Sequence, residues 1–321
     1  MEKKDLKIVF FGTPDFAVES LKRLVEGGYN VVGVVTMPDK PAGRGHHLLQ
    51  SDVKKYAVEN GLHLMQPVKL KDEEFVNELR GLNADLFIVI AFRMLPEVVW
   101  AMPRLGTFNL HASLLPKYRG AAPINWAVMN GETETGVTTF FLKHEIDTGD
   151  KNKQKSLPIG RKDNVEIIHD GLMMMGAGMV IETVDAIIAG TVKPIPQSEM
   201  LTAGEKPTPA PKIFKDTCRI DWNWCAEKVY NHVRGLSPYP AAWTEIVDAA
   251  GKVYAVKIFE TGEPEAPSAN LVPGTLTTDG KRLWVACADA KIEILSLQMA
   301  GKRRMPTADF LRGFNIEGCH C

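Results

Sequence analysis

The sequence predicts an α/β fold: a Rossmann-like, doubly wound domain with a mainly parallel sheet, followed by a smaller β-barrel domain. Through the first half, apolar runs of strand length alternate with helix-length amphipathic segments. The last third holds short strand-like runs separated by glycine, proline and aspartate. Since 321 residues is long for one core, two domains are expected. We expect the first over residues 1–190, a proline-rich linker over 191–212 and the second over 213–321.

The first elements of the chain begin the doubly wound domain. Residues 7–12 form an apolar strand, 14–26 a helix and 29–36 a second strand. A dinucleotide site would require G-x-G-x-x-G after the first strand. Here Gly12 stands alone, and Pro14 and Phe16 occupy positions where small residues would let a pyrophosphate approach. The sequence therefore argues against an NAD-dependent oxidoreductase on this fold.

The following segments continue the alternation. The near-continuous apolar run 84–91 is typical of the centre of a parallel sheet. The polar stretch 151–155 is predicted to be either a charged edge strand or locally disordered. The other predicted elements are helices over 52–60, 71–82, 122–130 and 164–189, a strand and turn over 109–116, and strands over 62–66, 136–142, 242–247, 253–259, 282–286 and 292–299.

Bulk composition limits the classes of function. The chain is 45% hydrophobic and 24% charged, and its net charge of −1 means that any contact with nucleic acid must come from local patches. The five cysteines lack paired metal-ligand spacing, and Cys319-His320-Cys321 is expected to be a frayed tail rather than a metal site. With no secretory signal and no apolar run of membrane-spanning length, we expect a cytoplasmic protein with reduced thiols.

Polar side chains share one face of the strand that begins near residue 109. Asn109, His111 and Ser113 alternate with apolar residues, so they point the same way. An exposed edge strand or a satisfied core histidine would explain them, and so would a strand end that opens into a crevice. Asp147 follows the next strand-like run. Together Asn, His and Asp offer a donor, a group that titrates near neutrality and a carboxylate that orients it.

The string Asn109-Leu110-His111-Ala112-Ser113-Leu114-Leu115-Pro116-Lys117-Tyr118-Arg119-Gly120 resembles the signature of the folate-dependent formyltransferases, as does Asp147-Thr148-Gly149-Asp150 downstream. The resemblance runs from Phe11-Gly12-Thr13-Pro14-Asp15-Phe16 to Ala300-Gly301-Lys302. It is to the branch that formylates initiator methionyl-tRNA. In that branch the second domain is an oligonucleotide-binding-like barrel involved in tRNA contact.

The resemblance implies transfer of a formyl group from 10-formyltetrahydrofolate to the α-amino group of methionyl initiator tRNA, for translation initiation. Asn109 and a protonated His111 would stabilise the oxyanion. Asp147 would favour the charged form of His111 and accept the proton of the amine. No metal is implied. The folate-binding residues it implies are Ser113, Leu114, Leu115 and Pro116.

The resemblance also implies tRNA contacts. The loop over 38–47 is similar to one that enters the acceptor stem, and there Arg44 is expected to grip phosphate or stack on a base, with Lys40 as support. A local patch in the second domain is expected to face phosphates. Its members are Arg234, Lys302, Arg303 and Arg304. The chain has Phe92-Arg93 where this branch commonly has Tyr-Gly, so the rim of the folate pocket is expected to differ.

Three other functions remain open at this point. The acceptor of the formyl group could be a small amine, such as glycinamide ribonucleotide or an amino sugar nucleotide. It could be water, as in a formyl-folate hydrolase. A non-catalytic RNA-binding module is the third alternative, and it would not need Asn109, His111 and Asp147 together. We expect a monomer that binds folate and tRNA.

Overall fold

The computed structural model describes residues 1–42, 47–143, 150–193, 195–196 and 207–321. Those residues form two compact units, whose segments interleave in the sequence. The first unit comprises Met1–Gly120, Thr135–Leu157 and His169–Pro209, and the second comprises Ala121–Glu134, Pro158–Ile168 and Ala210–Cys321. Two internal segments thus belong with the C-terminal part of the chain. The sequence suggested two continuous domains, over 1–190 and 213–321, and did not indicate that segments of the two units alternate along the chain.

The elements are numbered in chain order. Up to the long helix they are β1 (Lys7–Gly12), α1 (Asp15–Glu26), β2 (Asn30–Val35), β3 (Lys40–Ala42), β4 (His47–Leu49), α2 (Asp52–Glu59), β5 (Leu64–Met65), α3 (Glu73–Gly81), β6 (Leu86–Ile90), α4 (Glu97–Trp100), β7 (Thr107–His111), β8 (Arg119–Gly120), α5 (Pro123–Met129), β9 (Glu134–Phe141), β10 (Lys151–Pro158) and α6 (Val165–Ala189). After it come β11 (Pro209–Ala210), a short 3₁₀ helix (Asp216–Cys218), α7 (Ala226–Leu236), β12 (Ala242–Val247), β13 (Val253–Thr261), β14 (Leu276–Thr278), β15 (Leu283–Ala286), β16 (Lys291–Met299), β17 (Met305–Pro306) and α8 (Thr307–Gly313).

The first unit is built on a seven-stranded sheet with the order β10-β9-β7-β6-β1-β2-β5. The pairs β1–β2, β1–β6, β2–β5 and β6–β7 are parallel, and β7–β9 is antiparallel. This confirms the predicted doubly wound, mainly parallel sheet. The strands β1 and β6 are buried along almost their whole length, because helices cover both faces of such a sheet. The polar stretch 151–155 lies in β10 at one end of the order, so it is an edge strand.

Helix α6 requires a correction to the expectation about membranes. By length and apolar composition alone, this helix is long and apolar enough to cross a membrane. Its contacts are those of a core helix. Leu172 and Val184 are fully buried, and the hydroxyl of Thr183 lies 3.0 Å from that of Thr139 on β9. A Cβ added to Gly176 would lie 2.7 Å from Cδ2 of Leu110, so the helix approaches β7 closely. The helix thus packs against β7 and β9 through part of its apolar surface, while Ile167 and Met174 remain about half exposed.

The second unit is a curled antiparallel sheet with the order β12-β13-β16-β15-β14, and β17 pairs with β16. It confirms the predicted small barrel. Helix α7 buries Val229, Val233 and Leu236 in the core of this unit. Helix α5 packs against α7 at Gly235, where a Cβ would lie 2.5 Å from Cγ of Met129.

The last residues of the chain tie the two edges of this sheet together, so the expectation of a frayed tail was wrong. His320 forms antiparallel bridges with Val247 at the end of β12 and with Thr275 just before β14. Its N–H donates to the carbonyl of Val247 at 3.0 Å, and the N–H of Cys321 donates to Gly274 at 2.9 Å. Because β12 and β14 are the outer strands of the order, the tail closes the barrel through backbone hydrogen bonds.

Candidate active site

The candidate site lies where β7 ends. This strand runs between β6 and β9, which excludes an exposed edge strand as the reason for its polar residues. Asn109 and His111 share one face, while Leu110 points to α6 on the other. The strand stops at His111, so Ser113 lies in the segment that follows it. Carboxyl ends of parallel strands form the usual ligand crevice in such sheets, and both side chains are placed there.

The imidazole of His111 is held by the turn that follows. Its Nε2 lies 2.8 Å from the carbonyl oxygen of Tyr118, which can only accept, so Nε2 carries the proton. Tyr118 has φ +60, a left-handed conformation that is uncommon for a residue other than glycine. The hydroxyl of Ser113 donates to the carbonyl of Lys117 at 2.7 Å and supports the same turn. With 7% of its surface exposed, the ring has a fixed orientation in a largely dry environment.

The segment Ser113–Pro116 is anchored by a residue that sequence reasoning missed. Thr138 faces His111 across the β7–β9 pair and is fully buried. Its hydroxyl donates to the carbonyl of Ser113 at 2.7 Å and accepts from the N–H of Leu115 at 3.2 Å. Gln154 on β10 donates to that hydroxyl at 2.9 Å and to the carbonyl of Leu115 at 3.0 Å. Two features of the sequence could have indicated this network: Thr138 is a polar residue inside an apolar strand, and Gln154 is an amide inside a lysine-rich run.

This network decides which parts of the segment can meet a ligand. Ser113, Leu115 and Pro116 are buried by the protein itself, whereas Leu114 is half-buried. Leu114 rests on Gly136 of β9, where a Cβ would lie 2.5 Å from its Cδ2 and 2.1 Å from the carbonyl oxygen of Lys155. The glycine therefore lets β10 and Leu114 approach β9 together. Of the four side chains in this segment, that of Leu114 is the most accessible.

The end of β6 adds a second wall to the same edge of the sheet. Arg93 donates from Nη1 to the carbonyl of Val68 at 2.7 Å and from Nη2 to the carbonyl of Pro67. Burial lowers the pKa of the Arg93 guanidinium. A cavity of about 630 Å³ adjoins it, lined also by Leu70, Lys71, Met94, Leu95, Pro96, Glu97 and Val98. Arg93 thus joins the segment after β5 to the end of β6.

The other predicted site residues lie in both units or outside the described part of the chain. Asp147 and Arg44 lie outside the described residues. Lys40 begins the β3–β4 hairpin and pairs with Leu49. In the second unit, Lys302 and Arg303 are exposed, and Arg304 bonds Ser296 while its guanidinium lies 4.6 Å from the ring of Phe259.

Arg234 differs from the other cations of the predicted patch because it is buried, with 9% of its surface exposed. Its Nε donates to Oδ1 of Asn231 at 2.8 Å and its Nη1 to the carbonyl of Asp163 at 3.0 Å. Burial lowers the pKa of this guanidinium. Arg234 and Arg304 line one cavity of about 570 Å³, together with Glu260 and Glu263 among others, so its charges are mixed.

Comparison with known proteins agrees with this architecture. Residues 6–184 match the family model described as formyl transferase, and residues 212–315 match formyl transferase, C-terminal domain. An N-formyltransferase from Helicobacter canadensis, solved with folinic acid and dTDP-3-aminofucose, has the same fold: its TM-score is 0.65 at 19% identity, over 90% of this chain and 98% of that one. HypX from Aquifex aeolicus with tetrahydrofolic acid gives 0.61 at 21% identity, over 95% of this chain and 46% of that one.

Similarity in sequence is much higher among bacterial relatives named methionyl-tRNA formyltransferase. The relative from Bacteroides fragilis is 64% identical over 98% of this chain and 97% of its own length. Those from Bacteroides thetaiotaomicron and Porphyromonas gingivalis are 63% and 50% identical, each over 98% of both chains. The chain therefore belongs to the methionyl-tRNA formyltransferase family.

Proposed function

We propose that Asn109, His111 and Asp147 carry out the reaction of this family in this chain. The chain transfers the formyl group of 10-formyltetrahydrofolate to the α-amino group of methionyl-tRNA, and we take initiator tRNA as its substrate. The observation that carries the function is the identity of 64% along nearly the whole length of a relative with that activity in its name. We further propose a monomer that works in the cytoplasm.

The protein supplies position and electrostatics to a reaction whose carbon comes from the folate. Attack of the neutral amine on the formyl carbon makes the new N–C bond and an oxyanion, and the bond to the folate nitrogen then breaks. The half-buried amide of Asn109 is suited to donate to that oxyanion. The proton that the amine loses ends on the folate nitrogen, and we assign its relay to Asp147.

The hydrogen bond to Tyr118 limits how His111 can donate in this scheme. A neutral ring that keeps its Nε2 proton on the carbonyl of Tyr118 offers Nδ1 as an acceptor only. Donation from both ring nitrogens would require the imidazolium, and we assign to Asp147 the role of favouring that form. The fixed ring needs no reorganisation during the reaction.

Substrate contacts complete the proposal. We assign folate to Ser113, Leu114, Leu115 and Pro116, with Leu114 and backbone groups as the direct contacts. We assign tRNA to Lys40 and Arg44 in the first unit and to Lys302, Arg303 and Arg304 in the second. Arg234, which is buried, contributes by holding Asn231 and the carbonyl of Asp163.

The test is formyl transfer to charged initiator tRNA, with elongator tRNA, uncharged tRNA and water as controls. Asp147→Asn is expected to remove most turnover while leaving folate binding intact, and Arg44→Ala is expected to weaken use of tRNA more than use of folate. Turnover near the wild-type rate in Asp147→Asn would refute its assignment. Release of tetrahydrofolate without formylated tRNA would keep the catalytic residues and reject the acceptor.

A further inference from the structure

The apolar side chains of the β3–β4 hairpin contribute little to its stability. Lys40, Pro41 and Ala42 pair with Leu49, Leu48 and His47. Leu48 and Leu49 are each 63% exposed, so the apolar side chains of β4 are not buried in a core. A hairpin with three residues in each strand is not stable alone. Its direction must be fixed at its base.

Three polar side chains meet at that base. Oδ2 of Asp39 accepts from Nζ of Lys54 on α2 at 2.6 Å, and Oδ1 accepts from Nε2 of Gln66 at 2.9 Å. Gln66, directly after β5, also donates to the carbonyl of Met37 at 3.0 Å. The side chains of Lys54 and Asp39 are only 15% and 17% exposed, so solvent screens this pair less than a surface pair.

A second contact joins the residues on either side of the hairpin. The hydroxyls of Thr36 and Ser51, which precede and follow the hairpin segment, lie 2.7 Å apart. Ser51 also caps α2 by accepting from the N–H of Lys54 at 3.0 Å. The hydrogen bonds from Lys54 and then Gln66 hold the pKa of Asp39 below its ordinary value. Both ends of the segment are thus bound to α2 and to the segment after β5.

We infer that Asp39, Lys54 and Gln66 form a clamp that positions the β3–β4 hairpin for methionyl-tRNA. The inference rests on the proposed contact of this hairpin with tRNA. It assigns to the clamp the positioning of the hairpin, in which the catalytic residues take no part. Without the clamp, the hairpin is ordered only when tRNA binds, and that ordering reduces affinity. The chemistry at the end of β7 is untouched. The expected signature is a higher KM for tRNA with the same kcat.

The experiment compares Asp39→Ala with Asp52→Ala in the full-length protein. Asp52 pairs with Lys55 on the same helix at 2.9 Å, but that pair is 48% and 58% exposed, so it is a matched control. For Asp39→Ala we expect the KM for methionyl initiator tRNA to rise about five- to tenfold, while kcat and the KM for 10-formyltetrahydrofolate stay within about twofold of the wild type. Asp52→Ala is expected to match the wild type in all three constants.

Arg44→Ala separates failure of the clamp from failure of the proposed function. If Arg44→Ala raises the KM for tRNA and Asp39→Ala does not, the clamp is refuted while the hairpin assignment stands. If neither variant changes that KM, the assignment of the hairpin to tRNA is wrong and the clamp falls with it. Adding Asp39→Ala to Arg44→Ala is expected to raise the KM less than it does in the wild type, because both act through one hairpin. Full additivity would overturn the inference.

Discussion

Replacing Thr138 by valine tests how Ser113–Pro116, the proposed folate-binding segment, is held. The substitution keeps the shape of a buried side chain and removes one hydroxyl, which makes three hydrogen bonds in the network with Ser113, Leu115 and Gln154. Gln154 still donates to the carbonyl of Leu115. The carbonyl of Ser113 and the N–H of Leu115 lose this partner while buried. Each such group costs about 1–3 kcal/mol, so with partial relaxation we expect a loss of about 2–4 kcal/mol in stability.

The assay combines thermal unfolding with steady-state kinetics. For a unit of this size, each kcal/mol lowers the melting temperature by about 2–4 °C, so Thr138→Val should melt roughly 5–15 °C lower than the wild type. Displacement of the segment that carries Leu114 should raise the KM for 10-formyltetrahydrofolate about tenfold, which corresponds to about 1.4 kcal/mol of binding free energy. The KM for methionyl-tRNA should stay near its wild-type value.

Thr139→Val is the matched control. Thr139 is the next residue on β9 and is equally buried, but it bonds the hydroxyl of Thr183 on α6 instead of Ser113–Pro116. It should lower stability by about 1–3 kcal/mol and leave the KM for folate unchanged. If Thr138→Val is destabilised yet keeps the wild-type KM for folate, then Ser113–Pro116 does not hold the folate. If its stability is unchanged, the reasoning about buried hydrogen bonds is wrong.

Three further predictions concern the second unit. His320→Pro removes the N–H that bonds Val247, so it should destabilise the barrel by about 1–3 kcal/mol in urea unfolding, whereas His320→Ala should match the wild type. Gly235→Ala places a Cβ 2.5 Å from Cγ and 2.8 Å from the backbone nitrogen of Met129, so it should cost about 1–3 kcal/mol, and unchanged stability would disprove the close approach of α5 and α7. Burial lowers the pKa of His232 from 6.5 to about 4. The unfolded state then binds more protons between these values, and stability should fall by up to about 3 kcal/mol as the pH drops through that window. His232→Gln should flatten this slope, and an equal slope would assign it to other groups.

Several strands could be placed from the sequence, because buried strand positions are occupied by apolar side chains. The prediction of strands at 7–12 and 242–247 matches β1 and β12 residue for residue. The β3–β4 hairpin was missed because its leucines are exposed and its support comes from Asp39, Lys54 and Gln66, which are distant in sequence. The tail was misjudged for a different reason. His320 pairs through its backbone, and backbone hydrogen bonds leave no signature in residue type.

The part of the candidate site that lies on a single strand could be predicted from the sequence. Alternation along residues 109–111 placed Asn109 and His111 on one face, as the structure has them. Thr138 and Gln154 were missed because they act from β9 and β10. Their partnership with Ser113 and Leu115 depends on which residues lie opposite one another across three strands. Register depends on the hydrophobic patterns of all the paired strands and on the turns between them, so the pattern of one strand does not determine it.

Arg234 shows that the sequence also does not reveal which cations are exposed. In the sequence it is one cation among those expected to face phosphate, and its residue type matches that role as well as Arg303 does. The two arginines differ in burial. Arg234 is 9% exposed, and its Nε and Nη1 donate to Asn231 and Asp163, whereas Arg303 is exposed. A cation that releases counterions on binding must reach the phosphate from solvent. Replacing Arg303 should therefore reduce the salt dependence of tRNA binding, while replacing Arg234 should first destabilise the unit that carries it.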